Sequence, residues 1–265
     1  MPLVACAPGA DYDEVWAGGW EELFPNDAAG TFEGRELLDH GEWWTMAWHA
    51  DHHVDDAGVT VTLTAMSQIV SAACTKVFTL AHDAAELTAS YRIRSLEPAA
   101  FHFLFKQHLP VQITPACRLA LAGGQVEAVD PAFGTLLQGA GPFDWPVAAQ
   151  AQGSTDLRII PPATSATREF VYVKDLPEAW CGVDDPEHGA SIRMHVDGAT
   201  FPFTWLFLSY GGWRDTYVAV LEPCTNCPKD LTEAVRHGQS ASLAPGAEFA
   251  TTVTVRLSGL MGATS

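Results

Sequence analysis

Two-residue alternation of apolar and polar residues recurs along this chain, whereas the 3.6-residue periodicity of amphipathic helices is nearly absent. The clearest alternating stretches are residues 59–64, 87–94, 191–196 and 249–257. Successive side chains of a strand point to opposite faces of a sheet, so this pattern is typical of half-buried strands. The sequence therefore predicts an all-β protein.

Two longer apolar runs, residues 99–105 and 203–208, predict central strands that are covered on both faces. One helix is predicted over residues 229–237, and it ends at Gly238. The 17 prolines and 22 glycines fall largely in turns between the runs, and no linker or repeat divides the chain. These features predict one domain over residues 1–265, a large antiparallel sandwich with one or two short peripheral helices.

The charge balance excludes two classes of partner. The chain has 14 Lys and Arg residues against 32 Asp and Glu residues, a formal net charge of -18. Binding to nucleic acid or to an anionic membrane needs clustered cations, and the sequence contains no basic run. We therefore expect no nucleic-acid partner and no membrane partner. The acidic surface favours solubility, although adaptation to high salt gives the same composition.

The expected location is a reducing cytoplasm. No run of about 20 apolar residues is present, and residues 1–11 lack the basic and apolar regions of a signal peptide. The six cysteines are scattered and do not form a disulfide framework. They stand at positions 6, 74, 117, 181, 224 and 227.

Three segments combine polar groups with aromatic residues in a way that strand packing alone does not require. The first reads G-G-W-E-E-L-F-P-N at 18–26 and continues with D-H-G-E-W-W at 39–44. The second, F-L-F-K-Q-H-L-P, occupies residues 103–110. The third runs from Trp205 to Tyr217 and into L-E-P-C-T-N at 221–226.

In this order, the segments resemble the aldose 1-epimerase (galactose mutarotase-like) superfamily, above all its less-studied bacterial branches. A closing L-x-P-G at 243–246 adds to the resemblance, which spans nearly the whole chain. It implies a twisted β-supersandwich that binds a monosaccharide, as one galactose mutarotase-like carbohydrate-binding domain. Residues 18–26 stand where better-known galactose mutarotases have a longer Arg- and Asn-rich motif, so their substrate preference is not transferred. Little sequence precedes Trp16, and an N-terminal strand of the relatives is expected to be missing.

The resemblance also implies roles for individual residues. Glu222 matches the base that takes the proton of the anomeric hydroxyl, and His108 matches the acid that protonates the ring oxygen. His40 matches a residue that hydrogen-bonds sugar hydroxyls. Further sugar contacts are expected from Asn26, Glu42, Lys106 and Trp205. The reaction needs one proton donor and one acceptor, so no metal or organic cofactor is expected.

Each of these roles has a simpler alternative. Glu222 is also explained as an exposed residue at a strand end, and His108 as a turn histidine before Pro110. Glu42 and Lys106 are also explained as surface charges, whereas a lysine in the cleft could bind an acidic or phosphorylated sugar. For the whole chain, the alternatives are a non-catalytic carbohydrate-binding protein, or another isomerase or a lyase that acts on an acidic sugar.

Two metal-like patterns do not predict metal sites. His49, His52 and His53 lie among aspartates but lack the spacing of a helical zinc site, and we expect a solvated loop there. Cys224 and Cys227 form a single C-x-x-C without a second pair. No nucleotide-binding or serine-hydrolase motif occurs in a suitable context.

Overall fold

The computed structural model describes residue 7, residues 9–16 and residues 18–259. The chain forms two compact units. The first comprises Met1–His108 and Cys224–Thr252, and the second comprises Leu109–Pro223 and Val253–Ser265. Because each unit takes up two separate stretches of the chain, a single domain over residues 1–265 stays a prediction.

Antiparallel strands dominate both units within the described residues. In chain order the elements are α1 (Tyr12–Val15), β1 (Glu21–Leu23), β2 (Gly30–Phe32), β3 (Arg35–Leu37), β4 (His49–Val54), β5 (Gly58–Ser67), β6 (Ala72–Ala81), β7 (Glu86–Ser95), β8 (Phe101–Phe103), β9 (Lys106–Gln112), β10 (Arg118–Leu121), β11 (Gln125–Ala128), β12 (Phe143–Asp144), β13 (Val147–Gln150), β14 (Gly153–Asp156), a 3-10 turn (Ala163–Ser165), β15 (Thr167–Lys174), β16 (Trp180–Asp185), β17 (Ala190–His195), β18 (Phe203–Tyr210), β19 (Tyr217–Cys224), α2 (Leu231–Arg236), β20 (Ala241–Leu243) and β21 (Glu248–Ser258).

The first unit is built on a meander in which β4, β5, β6 and β7 are successive antiparallel neighbours. The first residues of β21 extend this sheet beside β7, where Ser90 and Thr252 hydrogen-bond at 3.1 Å. Three smaller antiparallel pairs complete the unit: β1 with β9, β2 with β3, and β8 with β20.

The second unit contains two larger groups of antiparallel strands. In one, β10, β16 and β17 lie in order, and β17 pairs with residues 254–258 of β21. In the other, the order is β19, β18, β15, β11 and β12. A separate hairpin joins β13 to β14.

Aromatic side chains form the core of each unit. In the first unit, Phe105 packs against Trp43, Tyr91 and Phe249 with ring centroids 5.1–5.5 Å apart. In the second unit, Trp205 lies 4.9 Å from Tyr172 and is fully buried. Rings in edge-to-face contact at these distances combine a large buried apolar area with favourable quadrupole interactions.

The predicted all-β class is confirmed. Each of the stretches 59–64, 87–94, 191–196, 203–208 and 249–257 lies within, or within one residue of, a strand of the structure. The predicted helix over 229–237 is also present as the shorter α2, because Asp230 caps it by accepting a hydrogen bond from the Glu233 amide at 2.9 Å.

The apolar run 99–105 differs from its prediction as one central strand. It forms only the three-residue β8, and the next strand begins at Lys106. The amide of Leu104 donates to the Pro25 carbonyl at 2.7 Å, and the amide of Phe105 donates to Thr225 Oγ1 at 2.9 Å. These two amides bond outside any strand ladder, so the run is interrupted.

The histidine cluster was predicted to be a loop, and this prediction is wrong. His49, His52 and His53 lie on β4, whose six residues are all exposed and pair with β5. This segment is a strand because its backbone pairs with β5, not because its side chains are buried. Its polar sequence therefore lacks the apolar alternation that predicts a strand. The described residues include no group of three or more His, Cys, Asp or Glu side chains that could hold a metal ion.

The five cysteines at positions 74, 117, 181, 224 and 227 are free and buried, whereas Cys6 lies outside the described residues. Burial raises the pKa of the Cys74 thiol to about 12 despite hydrogen bonding to Trp43 and Ser67. Small buried thiols of this kind behave as apolar core residues. In the part of the chain that the structure describes, no helix has the length and apolar character to cross a membrane.

An ion pair in the first unit predicts a pH dependence of stability. Arg35 donates two hydrogen bonds to Glu97 at 2.6 and 2.9 Å, and the Ser71 amide donates a third at 2.7 Å. The Arg35 hydrogen bonds, followed by that from Ser71, lower the pKa of Glu97 from 4.5 to about 2. Since the folded-state pKa is the lower one, this stabilisation is present above pH 4.5 and is lost between pH 4.5 and 2.

We expect Glu97→Gln to lower the free energy of unfolding by about 1 kcal/mol at pH 7, because it removes a charged acceptor. The difference from the unsubstituted protein should shrink as pH falls from 4.5 towards 2. Urea unfolding at several pH values measures this difference. The control is Glu36→Gln, an exposed position on β3, the strand that carries Arg35. A difference that does not change with pH would contradict the prediction.

Candidate functional site

His108 lies on β9 directly opposite Glu21 of β1. The antiparallel register pairs Glu21 with His108, Glu22 with Gln107 and Leu23 with Lys106. Paired residues of two strands project to the same face of a sheet. The register therefore brings the Glu21 carboxylate and the His108 imidazole together, with Nδ1 3.3 Å from Oε1.

Two aromatic residues of the N-terminal segment fix the Glu21 carboxylate. The Tyr12 hydroxyl donates to Glu21 Oε1, and the Trp16 indole N–H donates to the same oxygen at 2.8 Å. The Tyr12 hydroxyl also lies 3.5 Å from His108 Nδ1. Burial by itself raises the pKa of Glu21. Its hydrogen bond and charge interaction with His108, and the hydrogen bonds from Tyr12 and Trp16, outweigh burial, so the pKa of Glu21 is lowered overall.

His40 reaches the same cluster from the segment after β3. Its backbone is left-handed, with φ of 59°, and its ring stacks on Tyr12 at a centroid distance of 3.6 Å and an interplanar angle of 8°. His40 Nδ1 lies 3.1 Å from Asp39, and the His40 and His108 rings meet edge to face at 6.1 Å. Two imidazoles, one phenol and one carboxylate thus share a largely buried site.

Gly41 sets the path of the chain at this point. Its φ is 68°, and a Cβ added there would lie 2.3 Å from the Phe24 carbonyl oxygen. The same carbonyl accepts the Glu42 amide at 2.9 Å. Only glycine combines this positive φ with so close a backbone approach, which explains the glycine of the H-G-E motif.

Glu42 has a structural set of partners. Its carboxylate accepts the amides of Gln68 and Ile69 at 2.9–3.0 Å and the hydroxyl of Ser67. The side chain is buried. It therefore attaches the H-G-E segment to the turn between β5 and β6.

Lys106 and Asn26 are also buried and engaged within the protein. Lys106 Nζ lies 2.5 Å from Asp27 Oδ2, and Asn26 Nδ2 donates to the Leu38 carbonyl at 2.7 Å. Burial raises the pKa of Asp27, but the Lys106 and His40 charges lower it more, with a net decrease. A sugar contact through either side chain stays a prediction.

The opposite face of β1 carries a second charged cluster. Glu22 accepts from Tyr91 at 2.7 Å and lies 2.5 Å from Lys76 Nζ. Lys76 in turn lies 4.6 Å from the Trp43 ring and 4.2 Å from the Trp48 ring. Cation–π contacts with two indoles and an ion pair together satisfy this buried ammonium group.

The L-E-P-C-T-N segment contributes to both units. Glu222 lies in β19 of the second unit with only 1% of its surface exposed, so the alternative of an exposed strand end is wrong for this residue. Thr225 and Asn226 belong to the first unit. Thr225 exchanges hydrogen bonds with the Phe105 backbone, and Asn226 Oδ1 accepts the Ala241 amide at 3.1 Å. The end of the motif therefore has a structural function.

The predicted residues divide between the units. His108, His40, Glu42, Lys106 and Asn26 belong to the first unit, where the first two share one cluster.

Trp205 lies in the core of the second unit, packed on Phe170 and Tyr172. Its predicted sugar contact, and the predicted pairing of Glu222 with His108, stay predictions. Two cavities in the second unit, of 180 and 430 Å³, are lined by none of the predicted residues.

Sequence reasoning missed Glu21, Tyr12 and Trp16. Glu21 was within reach, because it belongs to the G-G-W-E-E-L-F-P-N segment and stands beside a second carboxylate that points to the other face. Tyr12 and Trp16 belong to no motif, and their approach to His108 depends on tertiary structure alone.

Several solved structures share the fold of this chain. A candidate aldose 1-epimerase of Klebsiella pneumoniae matches with a TM-score of 0.69 and 11% identity, over 90% of this chain and 62% of its own. One from Escherichia coli matches with a TM-score of 0.66 and 16% identity, over 91% and 84%. A galactose mutarotase-like protein of Lactobacillus casei matches with a TM-score of 0.61 and 15% identity, over 90% and 85%.

The chain has the galactose mutarotase-like fold. The predicted antiparallel β-supersandwich is thereby confirmed, and the predicted resemblance holds for the fold. No protein-family model and no curated protein matches the sequence. At identities of 11–16%, these structures show the fold of this chain.

The buried Lys106–Asp27 pair predicts a large stability effect in the first unit. Lys106→Met should lower the free energy of unfolding by about 3–5 kcal/mol, because it leaves the Asp27 charge buried without its cation. Lys174→Met is the matched control, since Lys174 pairs with Glu127 at 2.6 Å on the exposed surface. That loss should stay below about 1 kcal/mol. Equal small losses in urea unfolding would show that the buried pair is not structural.

Proposed function

We propose that this protein is an aldose 1-epimerase that interconverts the anomers of a monosaccharide by opening and closing the sugar ring. Glu222 is the general base and His108 the general acid. The reaction needs only proton transfers between the sugar and two side chains.

Two lines support the proposal. Solved structures with this fold include proteins named as candidate aldose 1-epimerases and as galactose mutarotase-like. The carrying observation belongs to the chain itself: a buried imidazole, His108, lies 3.3 Å from a carboxylate and faces a second imidazole edge to face. Such a grouping of titratable side chains is typical of functional sites.

The proposed chemistry balances without an oxidant, a reductant or a metal. Glu222 takes the proton of the anomeric hydroxyl while the bond between C1 and the ring oxygen breaks, and the ring oxygen takes a proton from His108. The free aldehyde rotates about the C1–C2 bond. Attack of the hydroxyl on the other face of C1, with the protons moving in reverse, gives the other anomer and restores both residues.

The sugar contacts are proposed from the chemistry of side chains near His108. His40 hydrogen-bonds a sugar hydroxyl through Nε2, while its Nδ1 lies 3.1 Å from Asp39. Trp44, half-buried and 5.1 Å from Tyr12 edge to face, offers an indole surface on which a sugar ring can pack. Sugars bind aromatic faces through their C–H groups, which adds apolar contact to the hydrogen bonds.

We expect Glu222→Gln and His108→Asn each to lower the rate of anomer exchange by about 10²–10⁴-fold, because each removes one proton-transfer group. Polarimetry and saturation-transfer NMR on a panel of neutral, acidic and phosphorylated aldoses measure the rate. In His108→Asn, the amide N–H takes the place of Nδ1–H, which preserves the bond to Glu21. The matched control is His188→Asn, since His188 is exposed and pairs only with the nearby Asp185 among the contacts described for it.

Three results would count against this function. Exchange no faster than in buffer for every sugar would exclude catalysis, and binding without exchange would favour the non-catalytic carbohydrate-binding protein. An unchanged exchange rate in Glu222→Gln would remove Glu222 as the base. Circular dichroism of each variant checks that the fold is retained.

A further inference from the structure

We propose that Glu21 is the positioning residue of His108: it accepts the Nδ1 proton of the imidazole and so directs Nε2 to the sugar. This role rests on the proposed function. Glu21 does not touch the sugar in this assignment, and it acts only through His108.

The register of β1 with β9 carries the proposal. Glu21 and His108 are directly paired positions, and their side chains meet with Nδ1 3.3 Å from Oε1. His108 is 6% exposed, so its ring is held by the protein rather than by solvent. When one ring nitrogen of a histidine donates to a carboxylate, the tautomer and the direction of the other nitrogen are fixed.

The carboxylate is itself held in place. Tyr12 and Trp16 donate to the same Oε1 atom that faces His108. An oxygen that accepts from both donors has little freedom to rotate away, and the lowered pKa of Glu21 keeps it ionised at neutral pH. An ionised carboxylate also stabilises the imidazolium form from which a histidine donates its proton as a general acid.

Other polar groups described near His108 lie farther from Nδ1 or have partners of their own. From α1, the Tyr12 hydroxyl lies 3.5 Å from Nδ1, and from the H-G-E segment the His40 ring lies 6.1 Å away. On β9 itself, Lys106 is engaged by Asp27 at 2.5 Å. Glu21 places a carboxylate within ion-pair distance of the His108 ring.

Two substitutions separate the acceptor from the charge. Glu21→Gln keeps a carbonyl oxygen that can accept from Nδ1 but removes the negative charge. Glu21→Met removes both at similar volume. Glu36→Gln, an exposed change on β3, is the control. Two-bond ¹H–¹⁵N correlation spectra report the tautomer of each histidine, and the signals absent from His108→Asn identify those of His108.

The expected result is a graded one. In the unsubstituted protein the His108 spectrum at high pH should show protonated Nδ1 and unprotonated Nε2. Glu21→Met should shift it to a mixture of tautomers and lower kcat about 10- to 100-fold with little change in KM, while Glu21→Gln should retain the tautomer and lose less activity. The control should match the unsubstituted protein in both measurements.

The NMR result distinguishes this inference from the proposed function, because it needs no sugar. An unchanged His108 spectrum in Glu21→Met would overturn the positioning role even if the protein were an active epimerase. If no sugar is epimerised, the proposed function fails, and a tautomer lost in Glu21→Met still supports the role of Glu21. A loss of stability alone, without a change in the His108 signals, would also overturn it.

Discussion

Three backbone-paired positions on β1 and β9 determine where the charged groups of the first unit lie. Glu21 meets His108 on one face, while Glu22 lies beside Gln107 on the other face and pairs with Lys76. Because side chains alternate along a strand, a register shift of one residue would exchange these faces. The short pairing of β1 with β9 is therefore the constraint on which the candidate site depends.

The first unit buries cations even though the chain has a net charge of -18. Lys76 and Lys106 are each almost fully buried, and each lies against a carboxylate. Removing a charge from water is unfavourable, so each pair is retained only with good geometry and additional contacts. Lys76 gains these from Trp43 and Trp48. Removing one partner of such a pair leaves a buried charge without compensation, which is strongly destabilising.

The strands were predictable from sequence where a single physical signal operates. Alternation along β5 and β7 follows from one buried and one exposed face, and it is visible in the residues themselves. The polar strand β4 was not predicted, because its pairing uses backbone groups that any sequence possesses. The interruption after β8 depends on Thr225, about 120 residues away, so the residues near β8 do not predict it.

The candidate site was predictable in part. The motifs pointed to His40 and His108, which the structure brings together. The partners of these residues were not predictable, because contacts such as Tyr12 with His108 join positions 96 residues apart. Likewise, the sequence shows Lys106 only as a charged residue in an apolar segment. Its short distance to Asp27 in the structure shows that the two form an ion pair.

The attachment of Glu42 to Gln68 and Ile69 couples two distant parts of the chain. These bonds join positions about 26 residues apart, so the conformation of the H-G-E segment depends on the turn between β5 and β6. Closing such a loop costs chain entropy, which the hydrogen bonds to Glu42 offset in the folded protein. His40, two residues before Glu42, therefore reaches its left-handed conformation as part of a cooperative unit that includes a turn distant in sequence. Sequence changes in that turn act on the imidazole cluster without touching it.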